Sequence, residues 1–496
     1  MPQFRPAVLA IAGAALACAA NVNIPVNFSG LSAFDDKTVL SGIFYIPPDQ
    51  GSAVGPGYYV QMVNQAYAVY DTTGHLTVGP QSLNTFFSNA GVSTFGNTYS
   101  DPRIVYDPSS GRWIAAAITT GSNSNSVVLA VSQTSNPTGT WKATSFVGNT
   151  TANNFADYPT IAVDSGAFYI ATNNFANGAT FDGVSLTTIP KTDLLNAGGP
   201  VVSNRSHFEN IVGGSSSGTQ PFTFAPVSDF GSRSQGVILA TDGFTPAAVI
   251  HSYLVSNGST NSATLSSDSA IAVPSYWNNQ AAHQPDATRN LDAVDFRVGQ
   301  NNVYQVGDYI WIAQSILTSA ATGGSAFDAI RWYEIQQSTN TLLQSGTISL
   351  AHHDFIDPAI AANANGDVVI GFTGSGDSTT TDYPGLWYVT GTTSGGITTF
   401  GTATMLKNGS GNYYISGGGE NRWGDYSAVS VDPNHSYAFW IAGEVAINGS
   451  GAGYPNVWGT QIAELDIVPE PSAGLLVALG LAGQLMVSRR RARKGA

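Results

Sequence analysis

The sequence predicts an all-β protein, a β-propeller of seven blades with six and eight as the alternatives, framed by an N-terminal signal peptide and a short C-terminal transmembrane helix. Three observations lead there. The first is composition: only 10% of the 496 residues are charged against the usual quarter, while 55 are glycine. Such a balance suits many short strands joined by polar turns and leaves little material for amphipathic helices. The second is a repeat. "DPRIVYDPSSGRWIAAAI" from Asp101, "DYPTIAVDSGAFYIATNN" from Asp157, "DPAIAANANGDVVIGF" from Asp357 and "DYSAVSVDPNHSYAFWIA" from Asp425 align. Each opens on Asp and an alternating strand, turns through Asp, Asn, Gly, Pro or Ser, and returns in a second strand. Weaker copies open at Asp49, Asp229 and Asp292. The third is spacing: successive openings lie 52, 56, 72, 63, 65 and 68 residues apart, room for a sheet of several strands each. A sandwich has no reason to repeat this unit, and a β-helix repeats at far shorter intervals.

Taken in order, residues 1–20 read as a signal peptide. Arg5 precedes an apolar run from Ala7 to Ala20, and Ala17 and Ala19 bracket Cys18 in a small-residue cleavage site. Cys18 is the one cysteine of the sequence, so the processed chain holds no disulfide and depends on its core. Residues 21–48 are an N-terminal segment placed to close the ring, and residues 49–466 form the propeller. Stretches between the repeats, such as "SVVLAVSQTSNPTGTWKATSF" and "IRWYEIQQSTNTLLQSGTISL", supply the third and fourth strands. Residues 467–496 combine Val468-Pro469-Glu470-Pro471-Ser472, an apolar helix over 473–487, and a basic tail over 489–494 that includes Arg489, Arg490 and Arg491. The apolar stretch is short of the about 20 residues a full span needs. Physics alone gives a weak anchor with its cations held inside the cell.

In their fixed order these C-terminal features resemble the PEP-CTERM sorting signal. The resemblance implies that signal peptidase and an exosortase act on the chain during export across the inner membrane of a Gram-negative-type bacterium. The product then resides at the cell surface or in the extracellular matrix, released or tethered after a transient membrane stage. A permanent single-span anchor is the alternative. A second resemblance covers most of the remaining chain. "PPDQGSAVGPGYYVQMVNQAYAVYD", "SDPRIVYDPSSGRWI", "LAVSQTSNPTGTW", "DYPTIAVDSGAFYIATNNF", "FDAIRWYEI" and "RWGDYSAVSVDPNHSYAFW" follow one another as in a family of secreted bacterial propeller proteins. That family is similar in shape to the sialidase-like group and implies fold and export, not a settled activity.

Charge limits the partners. Without Arg5 and the five tail cations the basic residues fall from 18 to 12, and without Glu470 the acidic ones fall from 32 to 31, leaving a net charge near −19. Nucleic acid is excluded as a direct partner, and an acidic polysaccharide is a poor one unless cations bridge it. Catalytic patterns are sparse. Ser135 to Trp141 resembles a sialidase Asp-box with Pro137 in the Asp position, but such boxes form turns away from the chemistry. A sialidase also gathers three arginines on the substrate carboxylate, and only eight arginines lie between the terminal segments. Gly214-Ser215-Ser216-Ser217-Gly218 fits a nucleophile elbow without the strand and helix that would hold one. His352, His353, Asp354 and Asp357 are spaced like a metal cluster, yet adjacent histidines on a strand point to opposite faces.

The recurring aspartates are the main site candidates. Asp49, Asp101, Asp157, Asp357 and Asp425 each stand before an expected innermost strand, around the mouth of a central channel. The preferred reading is that each locks its own turn through the backbone; the alternative is that the ring holds Ca²⁺, a hard cation suited to carboxylates and carbonyls, with no other cofactor implied. Of the Arg-Trp pairs, Arg112-Trp113 and Arg331-Trp332 are expected to pack between sheets. "GGGENRWGDY" is expected to differ, with Glu420, Arg422, Trp423 and Asp425 forming a ligand-binding loop. The reading is a binding or structural protein of an exopolysaccharide layer, its partners being polysaccharide or other surface proteins. The alternative is a glycan-active hydrolase or lyase with carboxylates at the channel mouth.

Overall fold

The computed structural model describes residues 21–92, 98–120, 125–212, 220–244, 246–285, 289–318, 326–377, 382–415 and 421–468. Their strands make seven antiparallel sheets, the seven blades of a propeller. The innermost strands are Gly51–Gly55, Thr98–Asp107, Asn154–Val163, Pro221–Pro226, Val303–Val306, His353–Ala362 and Ala428–Asp432. Neighbouring inner strands touch around the ring, and the 3-10 turn Gln300–Asn302 bridges the fourth and fifth. Blades stack face to face, so inner and second strands are covered on both sides and read as nearly unbroken apolar runs. His353–Ala362 and Asp367–Gly376 are buried at every position. The outer strand Ser269–Tyr276 meets solvent and alternates instead.

Each interface between blades has its own apolar cluster. Ile114, Leu129 and Ile170 join the second and third blades; Ile310, Tyr333 and Leu239 join the fourth and fifth; Tyr59, Trp440 and Ile462 join the first and seventh. The core is therefore a ring of seven clusters, one per interface. Asn21–Ser32 closes that ring. It is the outermost strand of the seventh blade and pairs with Asn456–Val468, Asn21 lying opposite Val468 and Phe28 opposite Ile462. The last strand runs on through Val468, past the expected boundary at 466.

The repeating Asp-Pro has a backbone origin. In the second, third, fourth and sixth blades the inner strand carries a bulge, the register slipping at Ser100/Arg103, Asp157/Thr160, Phe222/Ala225 and Ile356/Ala359. Asp101, Tyr158, Thr223 and Asp357 take the bulge position, each with φ between 51° and 59°. Asp tolerates this left-handed region better than most residues. Proline can follow because a bulge leaves its missing N–H outside the ladder. This geometry corrects the expected phase: Asp101, Asp157 and Asp357 lie within their inner strands rather than before them. Asp229 follows the inner strand Pro221–Pro226 instead of opening it. Asp292 lies ahead of Val303–Val306 by some ten residues of irregular chain. No helix among the described residues is long and apolar enough to cross a membrane; residues 1–20, the expected signal peptide, and residues 469–496, with the expected apolar helix over 473–487, lie outside the described residues.

Candidate functional site

Two rings of carboxylates result, at opposite ends of the inner strands. At the exit end Asp107, Asp164, Asp229 and Asp432 each accept the backbone N–H two residues on, from Ser109, Gly166, Gly231 and Asn434, at 2.7–3.1 Å. Asn363 does the same for Asn365 at 2.9 Å. These are the turn-locking residues. Asp229, Asn363 and Asp432 line a largely apolar hollow of about 380 Å³.

The five aspartates singled out in the sequence lie at the entry end and bond differently. Asp49 accepts from Asn64 Nδ2 at 2.7 Å and from the Asp425 backbone N–H at 3.1 Å, tying the first blade to the seventh. Asp101 accepts from Ser100 Oγ at 2.8 Å and from Tyr426 Oη at 3.0 Å. Asp49, Asp101, Asp157 and Asp425 share one cleft of about 270 Å³ with Arg422, Asn64 and Gln65. Asp357 is buried nearby, with Oδ2 lacking any hydrogen-bond partner.

Burial and mutual repulsion set the electrostatics. The Asp157 carboxyl is pushed up to about 7, by burial first and then by the charge of Asp101. Asp425 rises to about 6 through burial, opposed by Arg422 and Arg297. Asp49 and Asp357 are pushed well above the carboxylate range, burial again leading and Asp425 adding repulsion. The mouth thus holds two carboxyls, Asp157 and Asp425, that exchange protons near neutral pH.

Three arginines face them, and each is engaged. Arg422 lies 3.2 Å from Asp292 and 3.7 Å from Asp425. Arg297 makes a two-pronged bond to Asp295 at 2.8 and 2.6 Å, with its guanidinium 4.4 Å from the Tyr158 ring. Arg103, 1% exposed, sits 3.3 Å from the Tyr426 ring and donates Nε to the Pro159 carbonyl at 2.7 Å. The Tyr158 and Tyr426 rings are 4.8 Å apart. The series Arg297–Tyr158–Tyr426–Arg103 forms a cation–π stack between blades.

One expectation needs correction. Trp423 is 1% exposed, packs edge-on against Tyr413 at 4.8 Å and donates Nε1 to Thr373 Oγ1 at 3.2 Å, so its ring is core and no open platform for a sugar. Glu420 lies outside the described residues, whereas Arg422 and Asp425 do join the cleft. His352, His353 and Asp354 turn to separate partners: Asp377 at 3.0 Å, Asp382 at 3.7 Å and His283 at 2.7 Å. Among the described residues no three His, Cys, Asp or Glu are gathered so as to hold one metal ion. Glu444 was invisible in the sequence. It sits mid-strand in His435–Asn448, 2% exposed, and no motif marks it. The Tyr of "DYPT" and "DYSA" is the visible trace of the stack in the sequence, where nothing local sets it apart from an ordinary strand residue.

Residues 468–491 match the PEP-CTERM protein-sorting motif. No curated protein matches the chain. Among solved structures, the NanB sialidase from Streptococcus pneumoniae is 10% identical, with 83% of this chain and 82% of that one aligned and a TM-score of 0.42. An α-L-arabinofuranosidase from Fusarium graminearum is 10% identical over 73% of this chain and 91% of its own, TM-score 0.39. An exo-β-1,3-galactanase from Clostridium thermocellum is 10% identical over 89% and 100%, TM-score 0.31. The ring of sheets and the matched tail together define the molecule: it is a secreted seven-bladed β-propeller that ends in a PEP-CTERM protein-sorting motif.

Proposed function

We propose that the exported, exosortase-sorted propeller is a binding protein of an extracellular polysaccharide layer and takes sugar at the acidic mouth of its channel. One observation carries this reading: Asp49, Asp101, Asp157 and Asp425 converge on a single cleft, while a different ring of residues locks the turns. Carboxylates freed from turn duty, with Asn64, Gln65 and Ser100 beside them, offer the mixed acceptors and donors that sugar hydroxyls require. The residence we assign is the surface or matrix of a Gram-negative-type cell. Ca²⁺, a hard cation suited to carboxylates and carbonyls, is the competing occupant of the cleft. Its check is a chelator-sensitive melting temperature, read at salt high enough to screen diffuse binding.

A second reading has its own support. Asp157 at about 7 and Asp425 at about 6 titrate near neutrality in the same cleft, the condition for general acid–base work on a glycosidic bond. A glycan array probed with the exported protein, followed by assay of the bound glycans for new reducing ends or unsaturated products, separates the two. Retention of intact glycan, lost in an Asp101→Asn, Asp157→Asn double variant, supports the binder. Turnover that depends on Asp157 supports the enzyme, and no retention of any glycan overturns both.

A further inference from the structure

Resting on the reading of the mouth as a sugar site, we propose that its ligand is an amino sugar, held through a protonated primary amine: the de-N-acetylated units of a hexosamine polysaccharide. The first ground is an imbalance of charge. Of the three nearby cations, Arg297 pairs with Asp295 and Arg422 with Asp292 and Asp425, while Arg103 lies over the Tyr426 ring and bonds the Pro159 carbonyl, so the acids outnumber the cations. Among the described residues, no basic side chain lies within ion-pair distance of Asp49, Asp101, Asp157 or Asp357.

An independent observation points the same way. Glu444 lies behind the mouth, 2% exposed, and neither carboxyl oxygen has a hydrogen-bond partner. Its charged neighbours are Asp49, Asp357 and Asp425, all acidic. It is aimed at the backbone of Gly424, next to Asp425, where a Cβ would collide with the carboxyl. Buried polar atoms are nearly always satisfied, so these oxygens, with Asp357 Oδ2, mark a place where donors are missing.

The geometry favours ammonium over a metal ion. Ca²⁺ draws its oxygens in to 2.3–2.6 Å, and no three acidic or histidine side chains among the described residues are gathered that closely. An ammonium presents three donors at about 2.7–2.9 Å and serves carboxylates that do not touch one another. The rest of the lining favours a sugar carrying that amine over a lysine side chain. Asn64, Gln65, Ser100 and Thr98 offer amide and hydroxyl partners for ring hydroxyls, and Tyr45 and Phe155 offer aromatic surface for a ring face.

A cation entering the mouth draws protons off it. Asp157 faces Asp101, Asp425 and Arg297; Asp49 faces Asp425, Asp101 and Arg422; Glu444 faces Asp49, Asp357 and Asp425. Binding therefore releases protons and strengthens as pH rises from 5 to 7, while the amine stays charged.

The test is titration calorimetry of the exported protein at pH 7 in two buffers of different ionisation heat. The probes are a glucosamine trimer, an N-acetylglucosamine trimer, cellotriose, trilysine and calcium chloride. The glucosamine trimer is expected to bind about tenfold or more tightly than either neutral trimer, with net proton release. Glu444→Gln keeps the shape of the protonated acid and therefore the fold; it should weaken that binding and reduce the release. Asp101→Asn should weaken it as a second variant. Equal binding of all three sugars keeps the sugar site and overturns the amine, whereas absence of any sugar binding overturns the sugar site itself. Trilysine binding as tightly as the glucosamine trimer, calcium binding without it, or an unchanged Glu444→Gln overturns the amino-sugar assignment.

Discussion

A single aspartate shows how much one side chain holds in this fold. Asp164 accepts the Gly166 and Ala167 backbone N–H groups at 2.7 Å each and the Tyr169 hydroxyl at 2.6 Å, all within one turn. Asp164→Ala strands those donors in a buried site and should cost about 1–3 kcal/mol, read as a lower midpoint in urea with the slope unchanged. Other buried acids make stability depend on pH. Asp36 and Asp328 are each pushed up to about 8, by burial first and then by Asp35 and Asp354 respectively. A carboxyl whose folded-state value lies above its unfolded value of about 4 stabilises the fold fully below pH 4 and loses that contribution as pH rises through 8. The melting temperature should therefore fall between pH 5 and pH 9. Asp36→Asn, which keeps the neutral shape, should flatten part of the slope. A melting temperature that rises over that interval would contradict the assignment.

At the scale of elements, the closing strand is the most exposed to test. Removing residues 21–32 uncovers the edge of Asn456–Val468 along its length. Native sheets hide such an edge, so the truncated protein should melt earlier and aggregate as it melts, as light scattering during heating would record. The same elements show what the sequence made legible. Blade number was readable because each hairpin carries its own turn chemistry within a few residues, and "DPRIVYDPSSGRWI" contains its bulge, its strand and its turn-locking Asp107. The phase of the repeat was less readable. Asp229 and Asp164 look alike in sequence to Asp101 and Asp357, although one pair locks turns and the other sits on bulges. Only strand register tells them apart. Trp423 misleads for a related reason: glycines before it suggest an open loop, while its burial depends on Tyr413, across that loop, and on Thr373, distant in the chain. Glu444 depends wholly on long-range placement, so no local pattern betrays it.

The whole molecule is a ring, and a ring has no dispensable segment. Seven separate clusters each need both of their blades. Deleting residues 425–466 should abolish cooperative unfolding altogether instead of leaving a stable six-bladed remnant, and calorimetry of the deletion protein distinguishes the outcomes. Fate is decided outside the ring: Glu470→Ala within the matched motif should leave the precursor in the membrane fraction, as cell fractionation would show. The pairing of Asn21 with Val468 bears on how the molecule carries load. The tail leaves from the strand Asn456–Val468, which has a hydrogen-bonded neighbour on each side, His435–Asn448 and Asn21–Ser32. A pull on the tail along that strand works in shear against two ladders at once; an edge strand would unzip bond by bond. Where the sorted product stays tethered by its tail, the segment that closes the ring also clamps that tether, and a pull on it meets the stiffest direction of the blade.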